Sequence, residues 1–420
     1  MAKNYSENSN NKILTHEMVA KEAAAMLVEE SQFIKAINRN REKEFNKDTQ
    51  GYKKGDTVRI RVPPTPIVTE GHVFKSADAN ENAQEKSVNL TIDTQKHVGL
   101  EFGAAELTLN MTDFKSRFLQ PAINSLATSI DADLLQRAIV TVNNMTAMQA
   151  SEAHPTAAWG RARTMMNRAL APSSDRMSML SSELTNKIVD PAGTLFNPTA
   201  EIAKQWKEGY IGRSRGFEFV ESEHIYRQST GSHGKTGLTV NGAGQTGGTL
   251  TVGGLTNGDT IKRGEVFTIA GVEQIHPVTH QTYQAPLQFV VLEDVTAGGT
   301  TATLKIYPEI TPASISSQLK ANATTLSSPA NSAAITFVMD SDALVEQALC
   351  FQKDAFAAAF APLKVLAGLE GYTVNASTMA LRVQSGGNFT QDTEGTRIDV
   401  LYGFAAIRGN HAARVLAPNA

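Results

Sequence analysis

The sequence contains one cysteine, Cys350, among 420 residues, which excludes an intrachain disulfide. The apolar neighbours of Cys350, Leu349 and Phe351, predict that its thiol is buried. No stretch approaches the roughly 18 unbroken apolar residues of a membrane-spanning helix, and the N-terminus lacks the apolar region of a secretory signal peptide. We therefore expect a soluble protein that has no membrane partner and is not exported by a signal peptide.

An excess of charge of one sign is also missing, because 39 Lys and Arg stand against 42 Asp and Glu. Tight, sequence-independent binding of nucleic acid requires cations that neutralise phosphates, so the monomer is not expected to bind nucleic acid strongly. With 41% hydrophobic residues, the chain can bury two or three cores, each belonging to a domain of roughly 150 residues. The composition is that of a globular protein.

The first third of the sequence combines a helical arm, a pair of strands and a long helix. Apolar residues recur at helical spacing from Thr15 to Phe45 and again from about Thr112 to Asn143, where Pro121 is expected to kink or divide the helix. Thr57–Val62 has the alternation of a half-exposed strand, and Val88–Ile92 is interpreted as its return strand. The polar connection between them, roughly 25 residues, is too long for an ordinary hairpin turn.

A Gly- and Thr-rich block from Ser229 to about Pro329 interrupts this α+β pattern. Its short β-runs, separated by turn residues, favour a small barrel or sandwich. Helical character is predicted to resume from Ala343 to Phe360, and Thr396–Tyr402 is predicted as a strand near the end of the chain. The first and last thirds are therefore expected to form one domain around an insertion, which is tolerated best where its two ends lie close together.

Three strings have the letters of enzyme motifs but the wrong surroundings. Gly231–Thr236 resembles the end of a phosphate-binding loop, and Gly242–Gly247 matches a dinucleotide-binding pattern, yet strands rather than helices follow both. Gly212–Gly216 fits the pattern of a nucleophile elbow around Ser214, but Phe217–Val220 makes the exit a strand. Turns and glycine-rich loops explain all three strings better than catalysis.

Charged and histidine pairs are equally weak signals. His276 and His280 have metal-ligand spacing, although Pro277 and the β-context disfavour a shared helix face. Asp131 and Asp133 lie two residues apart on the long helix, on different faces, so they are interpreted as solvated or interface charges. The sequence therefore predicts no enzyme, no cofactor, and no catalytic, cofactor-binding or metal-binding residue.

Several strings, taken in order, resemble the major capsid proteins of tailed bacteriophages, and together they extend over nearly the whole chain. The block around Lys262–Val272 is similar to the insertion domain of the Salmonella-podovirus type of coat protein. The strings are Gly55–Ile60, Glu106–Leu109, Phe118–Ala127, Ile130–Asp131, Gly209–Gly212, Gly216–Phe217 and Arg397–Gly403.

The resemblance implies an α+β capsid fold of the Hong-Kong-97 type with an inserted all-β barrel. Its long helix would be the spine helix of the peripheral domain. The implied parts are an N-terminal arm (1–50), an extended loop (51–90), a peripheral domain (91–156), an axial domain (157–228 and 333–420) and the inserted barrel (229–332).

In this family, subunits form the pentamers and hexamers of an icosahedral shell. The resemblance implies a scaffolding protein and a portal protein as partners, and maturation of a procapsid around double-stranded DNA that is enclosed without sequence-specific binding. It also implies a virion protein that is assembled in the bacterial cytoplasm. Rings and closed shells need head-to-tail contacts, which suits an arm that cannot bury itself alone.

Two sets of residues are expected to contact partners. Exposed cations of the extended loop are expected to meet acidic groups on neighbouring subunits, because arginine pairs well with carboxylates. An acidic face of the N-terminal helix is expected to receive a basic scaffolding segment. The loop cations are Lys53, Lys54, Arg59 and Arg61, and the acidic face comprises Glu17, Glu22, Glu29 and Glu30. The family's insertion domain is thought to carry a charged loop between capsomers, but Thr239–Thr256 has no charged residue here, which disfavours a salt-bridged contact.

Two other functions remain open from the sequence alone. The β-block by itself is compatible with a virion decoration protein or a glycan-binding protein, which would attach to preformed shells without building them. A hydrolase that uses Ser214 is the second alternative, and it needs a strand-turn-helix elbow that the sequence does not favour.

Overall fold

The chain is α+β, and its helices lie mainly in the first half. In this computed structural model the described residues are 16–39, 55, 57–62, 72, 86–103, 115–149, 152, 154, 156–192, 212–313, 323–375, 379–388 and 393–417. Within them the α-helices are α1 (His16–Glu30), α2 (Gln32–Ala36), α3 (Gln120–Ile139), α4 (Ala157–Arg168) and α5 (Ser182–Ala192).

The strands of the described residues form two large sheets, a closed barrel and two short pairs. In chain order they are β1 (Thr57–Val62), β2 (Lys86–Gly103), β3 (Met145–Ala147), β4 (Arg176–Leu180), β5 (Arg213–Ser214), β6 (Phe217–Glu221), β7 (Gln228–Ser229), β8 (Leu238–Val240), β9 (Gly247–Gly253), β10 (Thr260–Ile261), β11 (Val266–Ile275), β12 (Thr282–Val291), β13 (Val295–Thr296), β14 (Thr301–Ile310), β15 (Ala334–Phe337), β16 (Leu344–Val345), β17 (Gln347–Gln352), β18 (Phe356–Ala361), β19 (Glu370–Asn375), β20 (Ala380–Asn388), β21 (Thr393–Ala406) and β22 (Ala412–Leu416).

The helical arm is shorter than the sequence predicts. α1 ends before Ser31, whose hydroxyl donates to the Leu27 carbonyl at 2.7 Å, and α2 ends at Ala36 because Ile37 is extended. The predicted helix to Phe45 is therefore wrong over residues 37–39, and its last residues lie outside the described part of the chain.

The long helix is confirmed as α3, preceded by a π-helical turn at Lys115–Leu119. Pro121 lies in the first turn of α3, where its missing N–H costs no intrahelical hydrogen bond. The π turn and α3 thus form the short and long pieces that the sequence predicts, while the interior of α3 contains no proline.

The first large sheet, called the arm sheet here, has the order β1-β2-β21-β20-β19, and β18 also pairs with β21. β1 and β2 are antiparallel, from Thr57 opposite Thr91 to Val62 opposite Lys86, which confirms the predicted return strand. β2 then continues along β21, and α1 packs against α3 and the edge strand β19. The hairpin is therefore a direct extension of the sheet beneath the helices.

The second large sheet, called the platform sheet here, has the order β3-β22-β17-β4-β6-β5. Helix α4 packs on it through Trp159, which is fully buried and donates from Nε1 to the Ser178 hydroxyl at 2.8 Å. Cys350 lies in β17 with no exposed surface, as predicted, and burial raises the pKa of its thiol to about 12. This thiol is therefore protonated at neutral pH.

The predicted helix from Ala343 to Phe360 is wrong, because this segment forms β16, β17, a 3-10 turn and β18. Every residue of β17 and β18 is buried. Alanine favours helices in isolation, but a run buried on both faces is typical of a central strand, and burial outweighs the weak intrinsic propensity. The alanines of β18 let the arm sheet approach its neighbours closely.

The Gly- and Thr-rich block forms the predicted barrel, closed in the order β11-β12-β14-β9-β8-β15. Its core is separate from those of the sheets and centres on three phenylalanines. The ring centroid of Phe267 lies 5.7 Å from that of Phe289 and 5.5 Å from that of Phe337. The ends of the block meet at the short pair β7 and β16, where Ser229 lies opposite Leu344.

Candidate assembly surfaces and barrel junction

The β1–β2 hairpin carries the predicted loop cations that the structure describes. Arg59 and Arg61 are exposed, while Ile60 between them is 1% exposed and packs inward. Because side chains alternate along a strand, both guanidinium groups lie on one outward face. Lys53 and Lys54 lie outside the described residues.

The acidic face of α1 is only partly acidic. Glu17 and Glu30 are exposed and Glu22 is half-buried, while the side chain of Glu29 is outside the described part. Lys21 donates to the Glu17 carboxylate at 2.6 Å, one turn away, and this hydrogen bond raises the pKa of Lys21. This side of α1 therefore offers the Glu17 carboxylate, for which Lys21 competes, whereas Glu30 lies about 140° around the helix axis from Glu17, at the end of α1.

Asp131 is fully buried, which contradicts its interpretation as a solvated or interface charge. Its Oδ2 accepts hydrogen bonds from the backbone N–H of Gln32 at 2.7 Å and of Phe33 at 3.2 Å. These are unpaired amides of the first turn of α2, so the carboxylate caps that helix from a distant part of the chain. Asp131 thus fastens the N-terminal arm to the spine helix α3, whereas Asp133 is partly exposed and accepts from the Tyr402 hydroxyl.

Burial raises the pKa of Asp131 to about 6, although the two backbone hydrogen bonds oppose this shift. A raised folded-state pKa contributes stability below the unfolded-state pKa, near 3.8, that is lost as pH rises through about 6. In Asp131→Asn we expect the wild-type fall in the free energy of unfolding between pH 4 and 7 to shrink by ~2 kcal/mol. Urea unfolding at several pH values measures it.

The control for that experiment is Asp175→Asn, which removes an exposed carboxylate at a left-handed position that asparagine tolerates. Its stability should follow the wild-type pH dependence. Parallel curves for wild type and Asp131→Asn would contradict the burial-driven shift.

The barrel is joined to the rest of the chain by polar contacts as well as apolar ones. Gln288 of β12 accepts from the Met145 N–H at 2.7 Å and donates to the Met145 carbonyl at 2.9 Å, so its amide mimics a neighbouring strand. Around it, Val266 and Val290 of the barrel pack with Met145 and Leu416 of the platform sheet. The barrel is therefore seated on the platform sheet rather than suspended from two linkers.

Arg414 of β22 lies at the centre of this junction with no exposed surface. Its guanidinium donates to the Gly264 carbonyl at 2.6 Å, the Gln228 side chain at 2.7 Å and the Val142 carbonyl at 2.9 Å. Gly264 belongs to the barrel, Gln228 to β7, which leads into the barrel, and Val142 to the residues just after the spine helix. Burial lowers the pKa of Arg414 to about 9, so it remains charged at neutral pH.

The enzyme-like strings are turns and strands in the structure. Ser214 ends β5 and faces Phe217 across a tight turn, in which Arg215 and Gly216 have positive φ, so a strand follows it as predicted. At Gly231 a Cβ would lie 2.6 Å from the carbonyl carbon of Thr260, so this glycine serves close packing and leaves no space for a phosphate. The strand β9 follows Gly242–Gly247.

Among the described residues, no group of three or more His, Cys, Asp or Glu is placed to hold a metal ion. His276 instead accepts at Nδ1 from the Val278 and Thr279 amides. No helix in the described part of the chain is long and apolar enough to cross a membrane.

Sequence reasoning missed three buried polar residues that organise the chain: Asp131 was misread, and Arg414 and His233 were not singled out. Their partners lie far away in sequence, so no local spacing identifies them. Arg414, for example, binds Gly264 across 150 positions.

Comparison with known proteins identifies the family. The family described as "P22 coat protein - gene protein 5" matches residues 34–413. No curated protein matches the chain. Among solved structures, one from Mycobacterium phage Che8 is 12% identical over 92% of this chain and 90% of its own, with a TM-score of 0.42. The capsid of Ralstonia phage GP4 is 8% identical over 92% of this chain and 88% of its own, also with a TM-score of 0.42.

A third solved structure, the CUS-3 coat protein I-domain, is 28% identical over 25% of this chain and 97% of its own, with a TM-score of 0.20. The assignment rests on the family match, which extends from the N-terminal arm to β22 and includes the barrel. It agrees with the α+β architecture and the inserted barrel. The chain therefore belongs to the P22 coat protein family, the major capsid proteins of tailed phages.

Proposed function

We propose that copies of this chain assemble, with the help of a scaffolding protein, into an icosahedral procapsid that matures around double-stranded DNA. The observation that supports this most is the β1–β2 hairpin, which carries Arg59 and Arg61 on one outward face. A hairpin with exposed cations suits a head-to-tail contact, in which one subunit's projection meets a different surface of the next. The extended loop (51–90), the peripheral and axial domains and the bounds 229–332 of the insertion remain proposed divisions of the chain, and the closed barrel also includes β15, which lies beyond residue 332.

The proposed mechanism uses many weak contacts. An exposed arginine–carboxylate pair contributes about 0 to 1 kcal/mol, so one pair would not hold two subunits together. A closed shell repeats each pair in every subunit, and cooperative closure makes the sum large. Lys53 and Lys54 are proposed to extend the same contact.

The remaining parts of the proposal concern partners and place. The formal charge of −3 favours enclosure of DNA over tight binding to it, and a portal protein would occupy one vertex. We place assembly in the bacterial cytoplasm and the product in the virion. The role is structural and not enzymatic. The strand after Ser214 and the close backbone packing at Gly231 support this.

Assembly of the Arg59→Glu/Arg61→Glu variant tests the proposal. Reversed charge should repel acidic groups on the neighbouring subunit, so we expect the yield of closed shells to fall by more than about tenfold, the effect of ~1.4 kcal/mol at one contact. Electron microscopy of particles made with the scaffolding protein gives the yield, and circular dichroism checks the fold.

The matched control is Arg213→Glu/Arg263→Glu, which makes the same charge change at exposed positions outside the hairpin. It should assemble close to the wild-type level. Wild-type yields of shells from the hairpin variant would refute the proposed contact, and failure of the wild type to form shells under any condition would refute the function.

The α1 face is proposed to receive a basic segment of the scaffolding protein. Glu17→Lys/Glu30→Lys should weaken binding of the scaffolding protein and reduce scaffold-dependent assembly several-fold, because like charges then face each other. Lys21→Glu is the opposite change on the same face and should bind at least as well as wild type. Co-sedimentation of scaffolding protein with shells measures both, and equal binding by all three proteins would remove the proposed site.

A further inference from the structure

A buried pair of ionisable side chains lies where the chain enters the barrel. His233 and Glu265 are each 1% exposed, and Nε2 of the imidazole is 2.6 Å from Oε2 of the carboxylate. His233 belongs to the segment that leads from β7 to β8, and Glu265 lies in the turn before β11. The pair therefore links the incoming segment to the barrel wall.

The second ring nitrogen of His233 also faces an acceptor. Its Nδ1 is 3.0 Å from the backbone carbonyl oxygen of Gly234. A carbonyl oxygen cannot donate, so with Glu265 ionised both ring nitrogens form hydrogen bonds only when both carry protons. A neutral imidazole has one N–H and would place a lone pair against one of these oxygens. The geometry thus fits an imidazolium beside a carboxylate.

Glu265 is held in place by the backbone on both sides of the pair. Its Oε1 accepts from the Gly231 N–H at 2.5 Å, and its Oε2 also accepts from the Lys262 N–H at 3.3 Å. The Phe337 ring covers the imidazole, with centroids 3.9 Å apart. The pair is therefore enclosed by the incoming segment, the turn before β11 and strand β15.

The same place holds the two ends of the insertion together. The Thr230 N–H donates to the Ala343 carbonyl at 2.9 Å, and the Asp342 N–H donates to the Gly231 carbonyl at 2.9 Å. The Thr230 hydroxyl donates to the Asp340 carbonyl at 2.7 Å. Loosening the incoming segment would therefore loosen both connections of the barrel, and we call residues 228–234 and 338–345 the neck.

Other charged side chains lie near His233 and Glu265 but make contacts of their own. Lys235 and Asp340 form an exposed pair at 2.6 Å, and Lys262 lies 4.0 Å from Asp294 at the surface. Asp259 is half-buried in the neighbouring turn and favours the imidazolium. On the other side of the turn, Arg414 donates to the Gly264 carbonyl.

We propose that His233 and Glu265 form a proton-dependent latch on the neck. With His233 protonated, the latch is closed and the incoming segment is fixed against the turn before β11. Loss of the proton leaves a buried carboxylate without its cation and a lone pair facing an oxygen, so the neck opens more often. The pair contacts the barrel core through Phe337 of β15, whereas β9 and β14 pair with neither β15 nor β11 and keep their pairing.

The electrostatics agree in sign with the latch. Burial alone would lower the pKa of His233, but the hydrogen bond and charge of Glu265 outweigh it, so the pKa is raised above its ordinary 6.5. A raised folded-state pKa contributes stability that is complete below 6.5 and is lost as pH rises through the higher folded-state pKa. The latch therefore opens as pH rises from 6.5 through the folded-state pKa of His233, above the pKa of about 6 at which Asp131 titrates.

Hydrogen exchange of the full-length unassembled protein between pH 6 and 9 tests this, after correction for the intrinsic exchange rate. In wild type, the opening constant of peptides covering residues 228–234 should rise with pH from 6.5 upward, by up to about tenfold per pH unit, and should level off above the folded-state pKa, where both the closed and the open state have released the proton. Peptides from β9 and β14 should not change. In His233→Gln, whose amide donates to Glu265 but does not titrate, the neck should show no pH dependence.

The control is His97→Gln, which removes an exposed histidine of β2 and should leave the wild-type pH dependence in place. A flat profile in wild type, or an unchanged slope in His233→Gln, would overturn the latch. If His233→Gln does not fold, the ring ¹⁵N shifts of wild-type protein decide the question. A histidine ring that titrates above 6.5 supports the latch, whereas titration of every histidine ring at or below 6.5 overturns it.

Discussion

Gly403→Ala is expected to prevent the arm sheet from forming correctly. A Cβ at Gly403 would lie 2.8 Å from the carbonyl carbon of Thr91 and 3.0 Å from Cα of Ile92, and nearer still to the Thr91 oxygen. These are backbone atoms of the paired strand β2, so no side chain can move aside. Relief requires β2 and β21 to separate where the hairpin joins the sheet. We expect a loss of at least about 3 kcal/mol, above the usual cost of overpacking.

The matched control lies on the same strand. Among the described residues, a Cβ at Gly395 would meet only the Gly386 carbonyl oxygen, at 4.0 Å, so Gly395→Ala should change the free energy of unfolding by less than about 1 kcal/mol. Urea unfolding of both variants, or their soluble yield when Gly403→Ala does not fold, gives the comparison. Equal stability of the two variants would show that β2 and β21 are not as close as described.

Arg414→Ala is expected to destabilise the protein by about 3 to 5 kcal/mol, because it removes three close hydrogen bonds from a site without water access. The carbonyls of Gly264 and Val142 and the side-chain oxygen of Gln228 would each lose the hydrogen bond from Arg414. Thermal unfolding should show the barrel and the platform sheet losing their common transition, since Arg414 connects them.

Arg414→Lys separates charge from geometry. Lysine keeps the cation, but its single ammonium group cannot reach acceptors that surround a planar guanidinium. We expect at least half of the loss seen in Arg414→Ala. Wild-type stability of Arg414→Lys would mean that charge alone is required, and wild-type stability of Arg414→Ala would mean that the apolar contacts around Met145 and Leu416 hold the barrel without help.

Features with a local pattern were predictable from the sequence. The spine helix has an apolar stripe with helical spacing, the β1–β2 hairpin alternates, and the barrel is marked by glycine, threonine and short β-runs. β18 was mistaken for a helix because its alanines carry no strand preference, and only its burial on both faces of the sheet makes it a strand. The polar residues of the junction were not predictable, because each depends on partners brought close by the complete fold.

Of the candidate contacts, the sequence located exposed cations on the hairpin correctly for Arg59 and Arg61. The sequence could not reveal that Lys21 pairs with Glu17 on the same face, because a lysine that pairs with a carboxylate and one that does not are the same residue in the sequence. Asp131 shows the opposite error, in which a charged residue on a helix was assumed to face water.

The short antiparallel pair of β7 and β16 has a consequence for how this coat protein can diversify. Because Ser229 and Leu344 are direct neighbours, everything between them leaves and returns at a single point, the short pair of β7 and β16. Relatives can therefore gain, exchange or enlarge the segment between Ser229 and Leu344 without a change in the path of the surrounding chain. The barrel and the sheets that surround its point of attachment can thus change at different rates within one gene.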